Sequence, residues 1–86
     1  MEIIEDPLYA KQINGFRINW KRLDEALMSL YPALLGSPEL FPLVPSTKLR
    51  RLKLVGFHQV PPLSIFFTLE KNKITLKTAE LIDIES

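Results

Sequence analysis

The spacing of apolar residues changes once along this chain, and that change is the strongest constraint on its fold. Between residues 20 and 34 apolar side chains recur every three or four positions, which places them on one helical face. They are Trp20, Leu23, Leu27, Leu30 and Leu34. Residues 63–69 are rich in β-branched and aromatic residues, and further along the chain Ile74, Leu76, Ile82 and Ile84 share one alternating register. A helical part followed by a strand-rich part predicts an α+β fold.

Local signals set the ends of the main helix. Asn19 is a good N-cap residue, and Ile18 and Leu23 occupy the two positions of a hydrophobic staple. Pro32 lacks an N–H group, so the helix either ends just before it or restarts with Pro32 in its first turn. The Gly-Ser-Pro sequence at 36–38 then ends helical structure. Trp20 is expected to anchor the core, or to join a partner interface if this face is left uncovered.

The second half predicts a three-stranded antiparallel meander. Residues 38–46 contain three prolines and are expected to form an ordered loop held by its apolar side chains. Strands are predicted over residues 47–57 and 63–69, and the polar segment 70–73 is expected to form a turn. Residues 74–84 then return as the second arm of a hairpin.

The first 17 residues are expected to form a strand followed by a turn of helix. The complete prediction is a single domain, 1–86, in which a small antiparallel sheet packs against one or two N-terminal helices. A chain of 86 residues is the length of one domain.

Composition excludes several classes of site. The chain has no cysteine and one histidine, so neither a disulfide framework nor a multi-histidine metal site can form. No glycine-rich phosphate loop is present, and we expect no cofactor. The acidic start lacks the features of a secretory signal, and no apolar run approaches the roughly 20 residues that cross a bilayer. We therefore expect a cytoplasmic protein without a membrane partner.

Positive charge is concentrated in the middle of the chain. All eleven Lys and Arg residues lie between residues 7 and 79, where four carboxylates oppose them. The densest cluster is Lys48, Arg50, Arg51 and Lys53, within one predicted strand. Alternation places Arg51 and Lys53 on one face and the other two on the opposite face, unless the break in the pattern at residues 50–51 marks a bulge. Such a cluster either binds phosphates or protects an edge strand from aggregation.

Two residues are candidates for chemistry on a phosphate. Arg51 could stabilise phosphate charge, and His58, just after the basic strand, could act as a general acid or base. Tyr9 and Tyr31 could stack on a nucleotide, although Tyr31 lies near the apolar stripe and is expected in the core. Phe66 and Phe67 point to opposite faces of their strand, so both faces should meet apolar surface.

The order of these elements resembles the RelE/ParE superfamily of bacterial toxins. The resemblance covers roughly two-thirds of the chain and is carried by residues 36–38, 44–54 and 63–69 with the hairpin return. It implies a protein that acts on messenger RNA at the ribosome or on DNA gyrase, and that a cognate antitoxin neutralises. Arg50, Arg51 and Lys53 fall on the strand that often carries the family's basic residues.

The resemblance also implies that most of the usual catalytic residues are missing. Ser64 stands where the family commonly has an arginine, and residues 80–86 carry carboxylates where a final arginine and tyrosine often follow. Two functions therefore stay open. The first is a toxin-like module, an endoribonuclease with a degenerate site, that binds an antitoxin and acts on RNA or translation. The second is a non-catalytic interaction domain that forms homo- or hetero-oligomers.

Overall fold

Two helices pack on one face of a four-stranded sheet in the structure, a computed structural model that describes residues 2–82. The elements in chain order are β1 (Glu2–Glu5), α1 (Pro7–Gly15), α2 (Trp20–Gly36), a 3-10 turn (Pro38–Leu40), β2 (Arg50–Leu54), β3 (Leu63–Glu70) and β4 (Lys73–Leu81). The predicted α+β class, the N-terminal strand and helix, and the prolonged C-terminal hairpin are confirmed. The basic strand is shorter than the predicted 47–57.

The sheet is mixed, so the prediction of a purely antiparallel meander is wrong. The strand order is β1-β4-β3-β2. The β2–β3 and β3–β4 pairs are antiparallel, as predicted, whereas β1 lies parallel to β4. Residues 6–72, which include both helices, separate β1 from β4, and a connection of that length permits parallel pairing that a tight hairpin does not.

Helix α1 covers the part of β4 that β1 is too short to reach. The Asp6 amide donates to the Leu76 carbonyl at 2.9 Å, and the Asp6 carboxylate pairs with Lys77 at 3.3 Å. Further along, the Ala79 amide donates to the Gln12 side-chain oxygen at 2.9 Å. The edge of β4 is thus satisfied first by a strand and then by helix side chains.

Helix α2 begins as predicted but does not stop at Pro32. The Asn19 side chain accepts from the Arg22 amide at 3.2 Å, and both staple residues, Ile18 and Leu23, are buried. The helix continues through Pro32 to Gly36 because Pro32 lies on the solvent side, where water can replace the missing hydrogen bond. Trp20 is 48% exposed, so its prediction as a core anchor is wrong.

The irregularity of the sheet lies in the hairpin and not in the basic strand. The β2–β3 register runs without a break from Arg50 to Leu54, so the bulge considered at residues 50–51 is wrong. A register shift occurs between Phe66 and Phe67, and β4 carries the extra residue, Lys77. The shift reverses the alternation of β4, so Ala79 is buried after Leu76.

Strand β4 ends at Leu81, before the last two residues of the predicted alternating register. Ile82 follows the strand, and Ile84 lies outside the described residues. The turn of the hairpin is confirmed: Lys71 and Asn72 both have positive φ, 49° and 61°. Two successive positive φ angles are the geometry of a type I′ turn, whose twist matches that of the flanking strands.

The two faces of the sheet differ sharply in burial. Most side chains that face the helices are buried, and the buried ones are Leu52, Leu54, Leu63, Ile65, Phe67, Ile74, Leu76 and Ala79. The opposite, open face carries Arg51, Lys53, Ser64, Phe66 and Glu80 among others. Phe66 and Phe67 do point to opposite faces, as predicted, and Phe66 is half-buried without any helix above it.

Tyr9 of α1 is 2% exposed, so it cannot stack on a nucleotide as considered from the sequence. Its hydroxyl is the one buried side-chain polar atom of residues 2–82 without a hydrogen-bond partner. Burial raises the pKa of this hydroxyl above the usual value, and Glu5 and Tyr31 act in the same direction. Tyr31 is half-buried against the core, and burial raises its pKa too.

Replacing Tyr9 by phenylalanine removes the unpaired hydroxyl and keeps the ring. We expect the free energy of unfolding to rise by about 1 kcal/mol, because a buried unsatisfied polar group costs about 1–3 kcal/mol. Urea unfolding at neutral pH measures the change. Tyr9→Ala is the control for the ring and should lose about 3 kcal/mol or more. A clear loss of stability in Tyr9→Phe would contradict the expectation.

The same variant should alter the dependence of stability on alkaline pH. Because the folded state holds the Tyr9 proton more tightly, the unfolded state ionises first, and stability falls as the pH rises above about 10. This part of the loss is absent in Tyr9→Phe. The free energies of unfolding of the wild type and of Tyr9→Phe, each measured at about pH 9 and about pH 11, give the pH dependence of stability for each protein. Equal slopes would show that Tyr9 does not contribute.

A candidate nucleic-acid interface on the open face of the sheet

A groove of about 660 Å³ lies on the open face beside β2. Its apolar wall is the loop segment Phe41, Pro42, Leu43, Val44 and Pro45. Its floor and far side are formed by Phe66 and by three charged side chains, Arg51, Lys53 and Glu80. A mostly apolar concavity with a few converging charged groups is the usual form of a binding site.

The apolar wall is fixed because it pairs with β2 as a short extra strand. The Arg51 amide donates to the Pro42 carbonyl at 2.9 Å, and the Val44 amide donates to the Leu49 carbonyl at 2.8 Å. Leu43 forms an antiparallel bridge with Arg50. On the helix side, the Phe41 ring meets the buried Phe67 ring edge to face at 5.7 Å. The predicted ordered loop is therefore confirmed, and backbone pairing as well as apolar side chains holds it.

Arg51 is positioned by a partner on the neighbouring strand. Its Nε group donates to the Ser64 hydroxyl at 2.8 Å, and Ser64 is 1% exposed. This bond uses one guanidinium donor and leaves both Nη groups for a ligand. No carboxylate among residues 2–82 forms a salt bridge with Arg51. Arg51 is thus a pre-oriented cation whose anion partner is not supplied by this part of the chain.

Lys53 and Glu80 lie on either side of Ser64 in one row across the sheet. The register pairs Lys53 with Ser64 and Ser64 with Glu80. Both charged side chains are exposed, whereas the short serine between them is buried. The row therefore carries a cation at one end and a carboxylate at the other, with the Arg51 guanidinium held above its centre.

The four clustered cations do not form one surface. Arg51 and Lys53 share the open face, as predicted, and Arg50 faces the helices, where it donates to the carbonyls of Glu39 and Phe41 at 3.0 and 2.9 Å. Lys48 is exposed in the loop before β2. Arg50 therefore serves the fold by holding the chain after α2, and two of the four cations remain for the groove.

His58 does not join the groove. It is exposed in a turn between β2 and β3, and it is absent from the residues that line the groove. The structure adds Glu80 and the five-residue apolar wall, neither of which the sequence patterns place in a site. The bulge at Lys77 determines which side of the sheet Glu80 occupies, and alternation alone gives no sign of it.

The described residues offer little support for other kinds of site. Within 2–82 no group of three or more His, Asp and Glu side chains is arranged to hold a metal ion. Neither helix in this range has the length and apolar character needed to cross a bilayer.

Removing the Arg50 side chain should lower the stability of the fold. Arg50→Ala deletes two charged hydrogen bonds to backbone carbonyls, so we expect the free energy of unfolding to fall by about 1–2 kcal/mol. Lys48→Ala, an equal loss of charge in an exposed loop, should change it by less than about 0.5 kcal/mol. Denaturant unfolding measures both. Equal stability of the two variants would mean that the Arg50 contacts do not hold the loop.

No protein-family model matches the chain, and no curated protein matches it either.

Proposed function

We propose that this chain is a toxin-like module of the RelE/ParE kind that binds RNA through the open-face groove. The observation that carries the proposal is the Arg51 guanidinium, fixed by buried Ser64 next to exposed Lys53 and above an apolar floor. The element order of a strand, helices, a proline-rich loop, a basic strand and a hairpin supports it too, since the resemblance was based on that order.

The groove combines the two features that single-stranded RNA requires. Two cations on one face can contact successive phosphates, and an arginine with both Nη groups available can bind a phosphate through two hydrogen bonds. The half-buried Phe66 ring and the proline-rich wall provide flat apolar surface on which bases can stack. Helices cover the other face of the sheet, so the open face is the one that RNA can reach.

The groove favours binding of RNA over efficient cleavage. Cleavage requires groups that remove and return protons on the two sides of the scissile phosphate. The residues that line the groove include one carboxylate, Glu80, and neither histidine nor tyrosine. In this proposal the module occupies RNA or the ribosome, and an antitoxin protein neutralises it by covering the same groove.

Replacing both groove cations should abolish most RNA binding. For Arg51→Ala with Lys53→Ala we expect the affinity for single-stranded RNA to fall by roughly tenfold or more, as expected from the loss of charged hydrogen bonds. The slope of log K against log salt should become shallower by about 1.4, which is about 0.7 for each phosphate contact. Fluorescence anisotropy over a range of salt concentrations measures both. Ser64→Ala, which frees the Arg51 side chain, should cause a smaller loss.

The matched control removes two exposed lysines from the helices, Lys11 and Lys21. This variant has the same net charge as the groove variant and should keep nearly all of the RNA affinity. Equal losses in the two double variants would show that binding follows net charge and not the groove.

Growth of bacteria that express the wild-type chain, alone and with a co-transcribed small neighbour, tests whether the chain is a toxin that its neighbour neutralises. Unchanged growth in both cases would count against an active toxin.

A second candidate function, a non-catalytic interaction domain, is favoured by apolar surface on the helix side of the loop. A second groove of about 450 Å³ lies between the end of α2 and the loop, lined by Pro32, Ala33, Gly36, Ser37, Leu40, Phe41 and Pro42. Leu40 of the 3-10 turn, which lines this groove, is 79% exposed, and Met28 of α2 is 68% exposed. Exposed apolar side chains at a groove are typical of protein interfaces.

This candidate predicts self-association that salt does not weaken. We expect the wild-type chain to sediment as an oligomer at micromolar concentration and Leu40→Glu to sediment as a monomer, because the substitution buries a charge in the interface. Leu8→Glu introduces the same charge at an exposed leucine of α1 and should leave the assembly unchanged. A monomeric wild-type chain would rule out homo-oligomer formation.

A further inference from the structure

Glu80 is an unexplained residue of the cationic groove. A carboxylate close to two phosphate-binding cations weakens phosphate binding, so its presence there requires a reason. Within residues 2–82 the Glu80 carboxylate forms no salt bridge and no hydrogen bond, although Lys53 and Arg51 line the same groove. It therefore does not serve to hold either cation in place.

The register fixes the distance between the charged ends of the row. Lys53, Ser64 and Glu80 occupy corresponding positions on three adjacent strands. With neighbouring strands about 4.8 Å apart, the backbones of Lys53 and Glu80 are separated by about 10 Å. Phe66 lies two residues from Ser64 on the same face, roughly 7 Å along the strand. The row is thus wide enough for a planar ring that contacts Phe66 and has an anionic group at one end and hydrogen-bond donors at the other.

We propose that Glu80 makes the groove selective for guanine in RNA, an inference that rests on the proposed RNA binding and names the base it prefers. A carboxylate only accepts hydrogen bonds, so it favours the base edge that presents the most donors. Guanine alone offers two adjacent donors, N1–H and the N2 amino group, which can bind both oxygens of one carboxylate. Adenine, cytosine and uracil each present one donor group on that edge next to an acceptor, which a carboxylate repels.

In the proposed complex the nucleotide spans the row. Its phosphate contacts the Lys53 ammonium, the Nη groups of Arg51 contact the next phosphate of the strand, and the guanine ring stacks against Phe66. The Watson–Crick edge then reaches Glu80 on β4. The Glu80 carboxylate has no salt-bridge partner among residues 2–82, which fits this arrangement because neither cation must first be released from it.

The test compares short uridine oligonucleotides that carry one central G, A or C. Wild-type protein should bind the G oligonucleotide about tenfold more tightly than the other two, near the low end of the discrimination that one bidentate base contact gives. Glu80→Gln should lose this preference. Its affinity for the A and C oligonucleotides should stay equal or rise, since a repulsive charge near the phosphates is gone. Glu70→Gln changes charge equally at the exposed far end of β3 and should keep the preference.

The outcomes separate this inference from the proposed function. Equal wild-type affinity for the three oligonucleotides, with the salt dependence of phosphate binding retained, overturns guanine selectivity and leaves RNA binding standing. A guanine preference that persists in Glu80→Gln also overturns it. Failure of the wild-type chain to bind any of the three overturns the inference together with the proposed function. Circular dichroism of Glu80→Gln confirms the fold, and an exposed substitution is not expected to disturb it.

Discussion

Coverage of the sheet on one face only is the constraint on which the rest of the structure depends. Two helices bury the inner side chains of all three meander strands, with Phe67 near the centre and Leu34 of α2 fully buried with them. No third helix exists among residues 2–82 to cover the other side. An antiparallel sheet tolerates such asymmetry because alternate residues can be polar. The open face is therefore free to carry charged side chains on a rigid support.

The loop after α2 turns this flat face into a groove. Arg50 holds the loop on the helix side, and backbone pairing of Pro42 with Arg51 holds it at the edge of β2. The loop lacks regular secondary structure beyond its 3-10 turn, yet its position is as determined as that of a strand. Two adjacent residues of β2 therefore act differently. Arg50 holds the loop that forms the groove wall, and Arg51 lines the groove.

Preorganisation distinguishes this cationic patch from an ordinary charged surface. Lysines on a solvated face must be ordered when a ligand binds, which costs side-chain entropy. Arg51 is already ordered by a hydrogen bond to a buried serine, so less of that cost remains. The buried Ser64 hydroxyl is therefore part of the site, because it holds the Arg51 side chain. Glu80, which has no salt-bridge partner among residues 2–82, likewise needs no contact to be broken before a ligand binds.

The sequence by itself determined the elements that depend on local chemistry. The cap at Asn19, the apolar stripe of α2, the hairpin turn and the opposite directions of Phe66 and Phe67 all follow from short-range rules. Composition also excluded cysteine-based sites. These features need no knowledge of distant residues, because the groups that fix them are close in the chain.

Only the tertiary structure decided the direction of β1, the exposure of Trp20 and the face of Glu80. Each depends on residues far apart in sequence: the helical crossover allows β1 to lie parallel to β4, and Trp20, at the first position of α2, is left half exposed by the packing of the chain. The bulge at Lys77 reverses the alternation of β4 and brings Glu80 to the groove. The division of the basic cluster has the same origin, since Arg50 is held by carbonyls nine and eleven residues away. Periodicity records which residues share a face, and it does not record what lies opposite that face.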